Sequence, residues 1–288
     1  MDSSKKYIQH LSVCSGLEGM GLGLRRIFNN VREIAYIERD VFCQSLLVKK
    51  MEEGKLHPAP IFSSLERFPF YKFRGKVSIL TAGIPCQPHS RNGKRKGHRD
   101  ERDLSKYLLD GIRACKPASV FLENVSGIIT TEHPSGKSFL HYVLCELEQL
   151  GYRTTGGLFT AAETKSPHLR QRVFVLADSR HSPSTESEQQ TESWSNWISE
   201  PPEGPHEFST KGEIAEGQEG GYKSWPSRPD EDQYEWEPLR TIKRGLDRKS
   251  DGHANRVDRI YALGNAIVPQ QAETAFRVLA QRLNNYEV

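Results

Sequence analysis

Four side chains stand out for chemistry. Cys86 lies in "TAGIPCQPHS", Thr81 to Ser90, between Pro85 and Pro88, just after the apolar run "VSIL". Proline rings restrict the backbone on either side of that thiol. A basic segment, Ser90 to Arg102, follows it and would favour a thiolate, which is the nucleophilic form of cysteine. Glu123 ends another β-rich run, "FLENV", where it has no helix to cap and no ion-pair partner close in sequence. A buried carboxyl there has a raised pKa and can donate a proton. Arg170 and Arg172 occupy alternate positions in "SPHLRQRVFVLA", and on an extended segment they share one face. Two guanidiniums on one face suit a polar ring or a phosphate. Each feature also has a plain structural reading: a small buried thiol, a strand-end acid, surface arginines.

A second pattern concerns a ligand. "LSVCSGLEGMGLGL", Leu11 to Leu24, runs through Gly16, Gly19, Gly21 and Gly23 into a helix, and Glu38 closes the next apolar run. Glycines let a backbone approach a ligand, and a helix start presents amides to it. A carboxylate at the following strand end can accept both hydroxyls of a ribose. No register of these glycines gives G-x-G-x-x-G, so a nucleoside cofactor other than a dinucleotide fits better, with a plain tight turn as the alternative.

These residues need elements to hold them. Strands are expected at "YIQHLSV", "EIAYIE", "VSILTA", "SVFLENV" and "RVFVLA". Helices are expected around "GLGLRRIF", "VFCQSLLVKKMEEG", "LSKYLLDGIRACK" and "SFLHYVLCELEQLG". The last has Phe139, Leu140, Val143, Leu144, Leu147 and Leu150 at helical spacing and stops at Gly151. Alternating strands and helices imply an α/β, mostly parallel, doubly wound sheet, with ligands beyond the carboxyl ends of its strands. Every unusual cluster falls at such an end.

Composition narrows the class. The chain has 288 residues, 36% hydrophobic and 27% charged, with a net charge of +3, which permits a polyanionic partner. Its five cysteines, Cys14, Cys43, Cys86, Cys115 and Cys145, show no CxxC spacing, so neither disulfides nor a metal site is expected and a reducing cytoplasm fits. No apolar run reaches membrane-span length. From about Asp178 to Glu237 the chain is acidic and poor in aliphatics, which predicts loop or irregular structure. Trp194, Trp197, Trp225 and Trp236 lie there, suited to a small core or to a wedge in DNA, and basic residues from Arg240 to Lys249 follow.

Taken in order, "CSGLEG", "YIERD", "GIPCQPHS", "FLENV", "HLRQRVFV" and "RVDRIYALGNAIVP" resemble the motifs of the DNA cytosine-5 methyltransferases, with wording close to bacteriophage or prophage members. The resemblance runs from about Tyr7 to Asp178 and again from about Trp225 to the end. It implies a Rossmann-like fold dependent on S-adenosylmethionine, with a small, irregular target-recognition region. The expected division is 1–178 catalytic and cofactor-binding, 179–240 target-recognition, and 241–288 returning to the catalytic domain. It also implies that Cys86 adds to ring carbon 6 of a flipped-out cytosine. Glu123 would serve ring nitrogen 3, with Arg172, supported by Arg170, at the base carbonyl. Cofactor contacts would come from Cys14, Ser15, Gly16, Leu17, Gly19, Glu38, Ser64, Leu65, Pro85, Leu104, Asn265 and Ala266. Cys14 stands where the family usually has phenylalanine, Glu18 where it has glycine, Ser64 where it has aspartate, and His168 where it has glutamine. The expected partner is double-stranded DNA, for a cytoplasmic monomer that is either an orphan or paired with a restriction endonuclease. Two alternatives stay open: methylation of RNA cytosine by the same chemistry, and a non-catalytic DNA-binding relative.

Overall fold

The computed structural model describes residues 7–83, 104–134, 136–166, 169–179 and 262–285. In chain order the described elements are β1 (Ile8–Val13), α1 (Gly19–Arg25), β2 (Val31–Ile37), α2 (Val41–Glu52), β3 (Ile61–Phe62), β4 (Ile79–Gly83), α3 (Ser105–Cys115), β5 (Ser119–Val125), α4 (Phe139–Gln149), β6 (Arg153–Thr160), β7 (Gln171–Asp178) and α5 (Pro269–Asn285). Cys86 and Pro85, the basic segment Ser90 to Arg102, His168, the four tryptophans, the expected target-recognition region and the basic residues from Arg240 to Lys249 lie outside the described residues.

Local chemistry sets the helix ends. Asp40 caps α2 by accepting from the Cys43 amide at 2.8 Å, and Ser138 caps α4 by accepting from the His141 amide at 3.2 Å. After α4 the chain turns at Gly151, whose φ of 88° suits glycine. Pro269 opens α5, where its missing N–H costs nothing.

The strands form one sheet in the order β3-β2-β1-β4-β5-β7-β6. Pairs from β3 to β5 are parallel, and β7 runs antiparallel between β5 and β6. The five expected strands all form, and the sheet is mostly parallel as expected. Two strands were not anticipated. β3 has two residues, and β6, "RTTGGLFT", buries only Phe159, so neither shows apolar alternation.

Strand side chains alternate between two packed layers. Leu11 and Val13 of β1, with Leu80 and Ala82 of β4, face Leu108, Ile112, Phe139 and Val143 of α3 and α4. Ile8, Ile79, Phe121 and Phe174 face Met20 and Leu24 of α1 and Ala275, Phe276 and Leu279 of α5. The C-terminal α5 thus packs back onto the sheet. Phe276 is the pivot, meeting Phe121 edge-on at 5.3 Å and Phe28 at 5.6 Å. Phe276→Ala should destabilise the fold by about 3–5 kcal/mol, read as a lower denaturant midpoint with the slope unchanged. α1 and α5 approach closely because Gly23 lacks a Cβ, which would sit 2.8 Å from the Ala272 Cβ. Buried Gln271 ties α5 to the β6–β7 connection by donating to the carbonyls of Phe159 at 3.0 Å and Arg170 at 2.8 Å.

Candidate active site

The carboxyl ends of β1, β2, β4 and β5 lie side by side, and the candidate residues collect there. Glu123 pairs in register with Gly83, the last residue of β4. Its side chain is buried, and a Cβ placed on Gly83 would lie 3.6 Å from Glu123 Oε2. Arg172 of β7 is opposite Val125, two residues along β5 from Glu123, so the two side chains are diagonal neighbours on one face. Arg172 Nε donates to Glu123 Oε1 at 2.8 Å. Burial pushes the Glu123 carboxyl up and the two arginines pull it partly back, leaving it raised to about 6. A carboxyl poised there exchanges protons near neutrality.

The two arginines belong to one electrostatic group with Glu123 but make different contacts. Arg170 precedes β7 rather than lying in it, and its guanidinium donates to the Gly264 carbonyl at 3.0 Å and to the Ala266 carbonyl. Arg172 alone meets the carboxylate. Arg172→Met should therefore move the Glu123 titration above about 6, because the nearest compensating charge is gone. Carbon NMR of labelled glutamate would follow that shift.

The glycine-rich loop forms at the end of β1. Cys14, Gly16 and Glu18 have positive φ values of 50°, 51° and 60°. Gly16 has open space where a Cβ would be, and its amide donates to Glu38 Oε2 at 2.6 Å. The Asp40 amide donates to Glu38 Oε1 at 2.8 Å. Each carboxylate oxygen keeps a lone pair able to accept a ribose hydroxyl. Lys50 Nζ holds the loop from α2 by donating to the Leu17 carbonyl at 2.5 Å. Burial, then Glu38 and Glu66, push the Cys14 thiol up to about 12, so it is an inert wall.

The remaining cofactor candidates divide. Asn265 is exposed and adjoins Ala266 in a segment that lies against the loop, because a Cβ on Gly19 would sit 2.1 Å from the Ile267 carbonyl oxygen. Ile267 also closes over Gly83, and a cleft runs between Ser12, Cys14, Ser15, Glu18, Thr81 and Ile267. Leu104 packs against the core layer under α3. Leu65 is buried in the same layer. The Ser64 hydroxyl is engaged in its own turn, donating to Glu66 at 2.7 Å and accepting from the Arg67 amide at 3.2 Å. Cys43 and Cys115 are buried with thiols pushed up to about 12 by desolvation first, as packing residues would be.

The family model for C-5 cytosine-specific DNA methylases matches residues 8–262. The chain belongs to this family. As a C-5 cytosine-specific DNA methylase family member it is 29% identical over 168 residues to the type II methyltransferase M.NgoMIV of Neisseria gonorrhoeae, covering 58% of this chain and 50% of the relative. It is 28% identical over 175 residues to the type II methyltransferase M.NaeI of Lentzea aerocolonigenes, covering 59% and 40%. The matched part of this chain thus spans half or less of those relatives' length. A solved DNMT2 of Spodoptera frugiperda aligns at 18% identity and a TM-score of 0.48, covering 65% of this chain and 54% of that one, too distant to add weight.

Sequence reasoning missed residues that shape this site. His10 and Ser12 are buried polar residues on β1, and Glu18, noted only as a departure from the family's glycine, is buried behind the loop. The available signal was two polar residues at alternate positions inside an apolar strand. Lys50 read only as part of a charged helix end.

Proposed function

We propose that this protein transfers a methyl group to carbon 5 of cytosine in double-stranded DNA, with S-adenosylmethionine as donor. The observation that carries this reading is the Glu123–Arg172 pair, buried beside Gly83 at the end of β4. Cys86 follows Gly83 by three residues, no more than about 10 Å of chain.

Each group then has a task. The Cys86 thiolate adds to ring carbon 6 of a cytosine flipped out of its stack. Glu123 donates a proton or hydrogen bond to ring nitrogen 3, so the added electron pair is not left as an unsupported ring anion. Arg172 holds the base carbonyl and stabilises the charge that develops there. Carbon 5, made nucleophilic, takes the methyl; loss of its proton and expulsion of the thiolate restore the aromatic ring. S-adenosylmethionine, when bound, supplies the electrophilic methyl.

The residues present fit that donor. Glu38 is held at the end of β2 with accepting capacity left, and the open side of Gly16 gives a ribose room. Cys14, Ser15, Leu17, Gly19, Leu104, Asn265 and Ala266 would complete the pocket, with Pro85 from the segment before Cys86. Ser64, engaged in its own turn, keeps one acceptor lone pair for an adenine amino group. The division into a catalytic part over 1–178, target recognition over 179–240 and a returning segment over 241–288 belongs to the same reading. So does a monomer acting in the cytoplasm, alone or beside a restriction endonuclease. No helix among the described residues is long and apolar enough to cross a membrane.

Tritium transfer from labelled S-adenosylmethionine to duplex DNA of mixed sequence tests the reading, with tRNA in parallel. Label in DNA supports it. Label in tRNA alone, or in neither, refutes it.

A further inference from the structure

Behind the glycine-rich loop lies a buried polar cluster that the proposed chemistry does not use. His10 and Ser12 sit at alternate positions of β1 and are almost fully enclosed, at 0% and 2% exposure. His10 Nε2 is 2.8 Å from Thr81 Oγ1 on the neighbouring strand. Glu18, just before α1, turns its carboxyl back beneath the loop and accepts from Ser12 Oγ at 2.6 Å. Its other oxygen, Oε1, has no hydrogen-bond partner, and neither has His10 Nδ1, which faces it at 3.9 Å. Gly21 makes room for that oxygen, since a Cβ there would lie 2.1 Å from it. Orphaned buried polar atoms facing each other are costly unless something joins them.

The charges around the cluster say what joins them. Glu33 Oε1 lies 3.8 Å from His10 Nδ1, but both oxygens of Glu33 are held by Arg25, through Nε at 2.9 Å and the second guanidinium nitrogen. Lys50 is engaged at the Leu17 carbonyl. Glu18 is therefore the carboxylate in the group that lacks a contacting cation. His10, Glu18 and Glu33 could also be read as three metal ligands, their ligating atoms all within 4.8 Å of one another. The Arg25 cation on Glu33 disfavours a second cation there, and a single proton answers the deficit.

We propose that Glu18 is a positioning residue, holding the loop Cys14–Leu17 in shape through one proton that its carboxyl keeps on the side facing His10 Nδ1. The loop is strung between the two ends of this strut: Ser12 precedes it, Glu18 follows it, and the Glu18 amide donates across it to the Ser15 carbonyl at 2.7 Å. Burial raises the Glu18 carboxyl from 4.5 to about 7, with Glu33 adding to the rise and His10, Ser12 and Lys50 opposing it. The folded protein thus keeps a proton that the unfolded chain releases. The stabilisation is full below about 4.5 and is lost as the pH rises through about 7. This inference rests on the reading that the loop binds S-adenosylmethionine.

The test compares wild type with Glu18→Gln, whose amide can accept from Ser12 and point an N–H toward His10 without titrating. Calorimetry with S-adenosylmethionine should show wild-type affinity falling roughly tenfold from about pH 6 to about pH 8, as the competent fraction falls. Glu18→Gln should bind with a flat profile, and Glu18→Ala should bind weakly at both. Thermal melting without ligand should show a wild-type decline over the same range that Glu18→Gln reduces. Equal pH slopes for wild type and Glu18→Gln in both measurements would overturn the proposal. Failure of wild type to bind the donor at any pH would refute the methyl-donor reading instead, while the melting comparison would still report on the Glu18 proton.

Discussion

Cys86→Ala should abolish methyl transfer to DNA, by about a thousandfold or more, while the chain melts as wild type does. The size follows from the chemistry. Carbon 5 of cytosine is a poor nucleophile until something adds to carbon 6, and removing that group removes the step rather than weakening it. None of the other thiols inspected above can take over, since Cys14, Cys43 and Cys115 are pushed up to about 12 and Cys14 is walled by acids. Replacing one sulfur by hydrogen leaves the two packed layers intact, so the melting comparison separates lost chemistry from lost fold. Cys86→Ser is the sharper variant. Near-normal turnover with serine would contradict a thiolate role, because a hydroxyl is scarcely ionised at neutral pH.

Glu123→Gln should lower transfer by about a hundredfold to ten-thousandfold, with donor affinity kept, because the carboxyl acts on the base rather than on the donor. The amide can still offer a hydrogen bond to ring nitrogen 3, so some activity should survive. It cannot give up a proton. In wild type the acid form prevails below about 6 and is lost as the pH rises through it, so Glu123 should contribute an alkaline limb to the pH–rate profile. Glu123→Gln should lack that limb. Steady-state rates across pH for both proteins would decide it, and a variant with wild-type turnover would remove Glu123 from the chemistry.

Much of this arrangement could be read from the chain, for physical reasons that differ by residue. Buried parallel strands such as "VSILTA" and "SVFLENV" are continuous apolar runs, which few other structures demand. Glu38 and Glu123 were visible because a carboxylate ending such a run has no local reason to be there. β6 was not visible: an edge strand with two glycines and one buried side chain carries no period. Arg170 stands one residue before β7 begins and acts on Glu123 through its charge. Its guanidinium also holds the segment near Ala266, a contact between residues 96 positions apart that spacing cannot reveal. Ser64, expected as a cofactor contact, also ties its own turn through Glu66, which spacing does not show. The buried cluster of His10, Ser12 and Glu18 needed the fold of the loop before its members could meet.

Trapping is the most direct measurement. Duplex DNA carrying 5-fluorocytosine cannot lose fluorine from carbon 5 after methylation, so a cysteine bonded to carbon 6 stays bonded. With S-adenosylmethionine present, the account predicts a protein–DNA complex that survives denaturation and disappears in Cys86→Ala. A trapped complex that persists in Cys86→Ala, or labelled methyl on ordinary DNA with no trapped complex on the fluorinated strand, would contradict it.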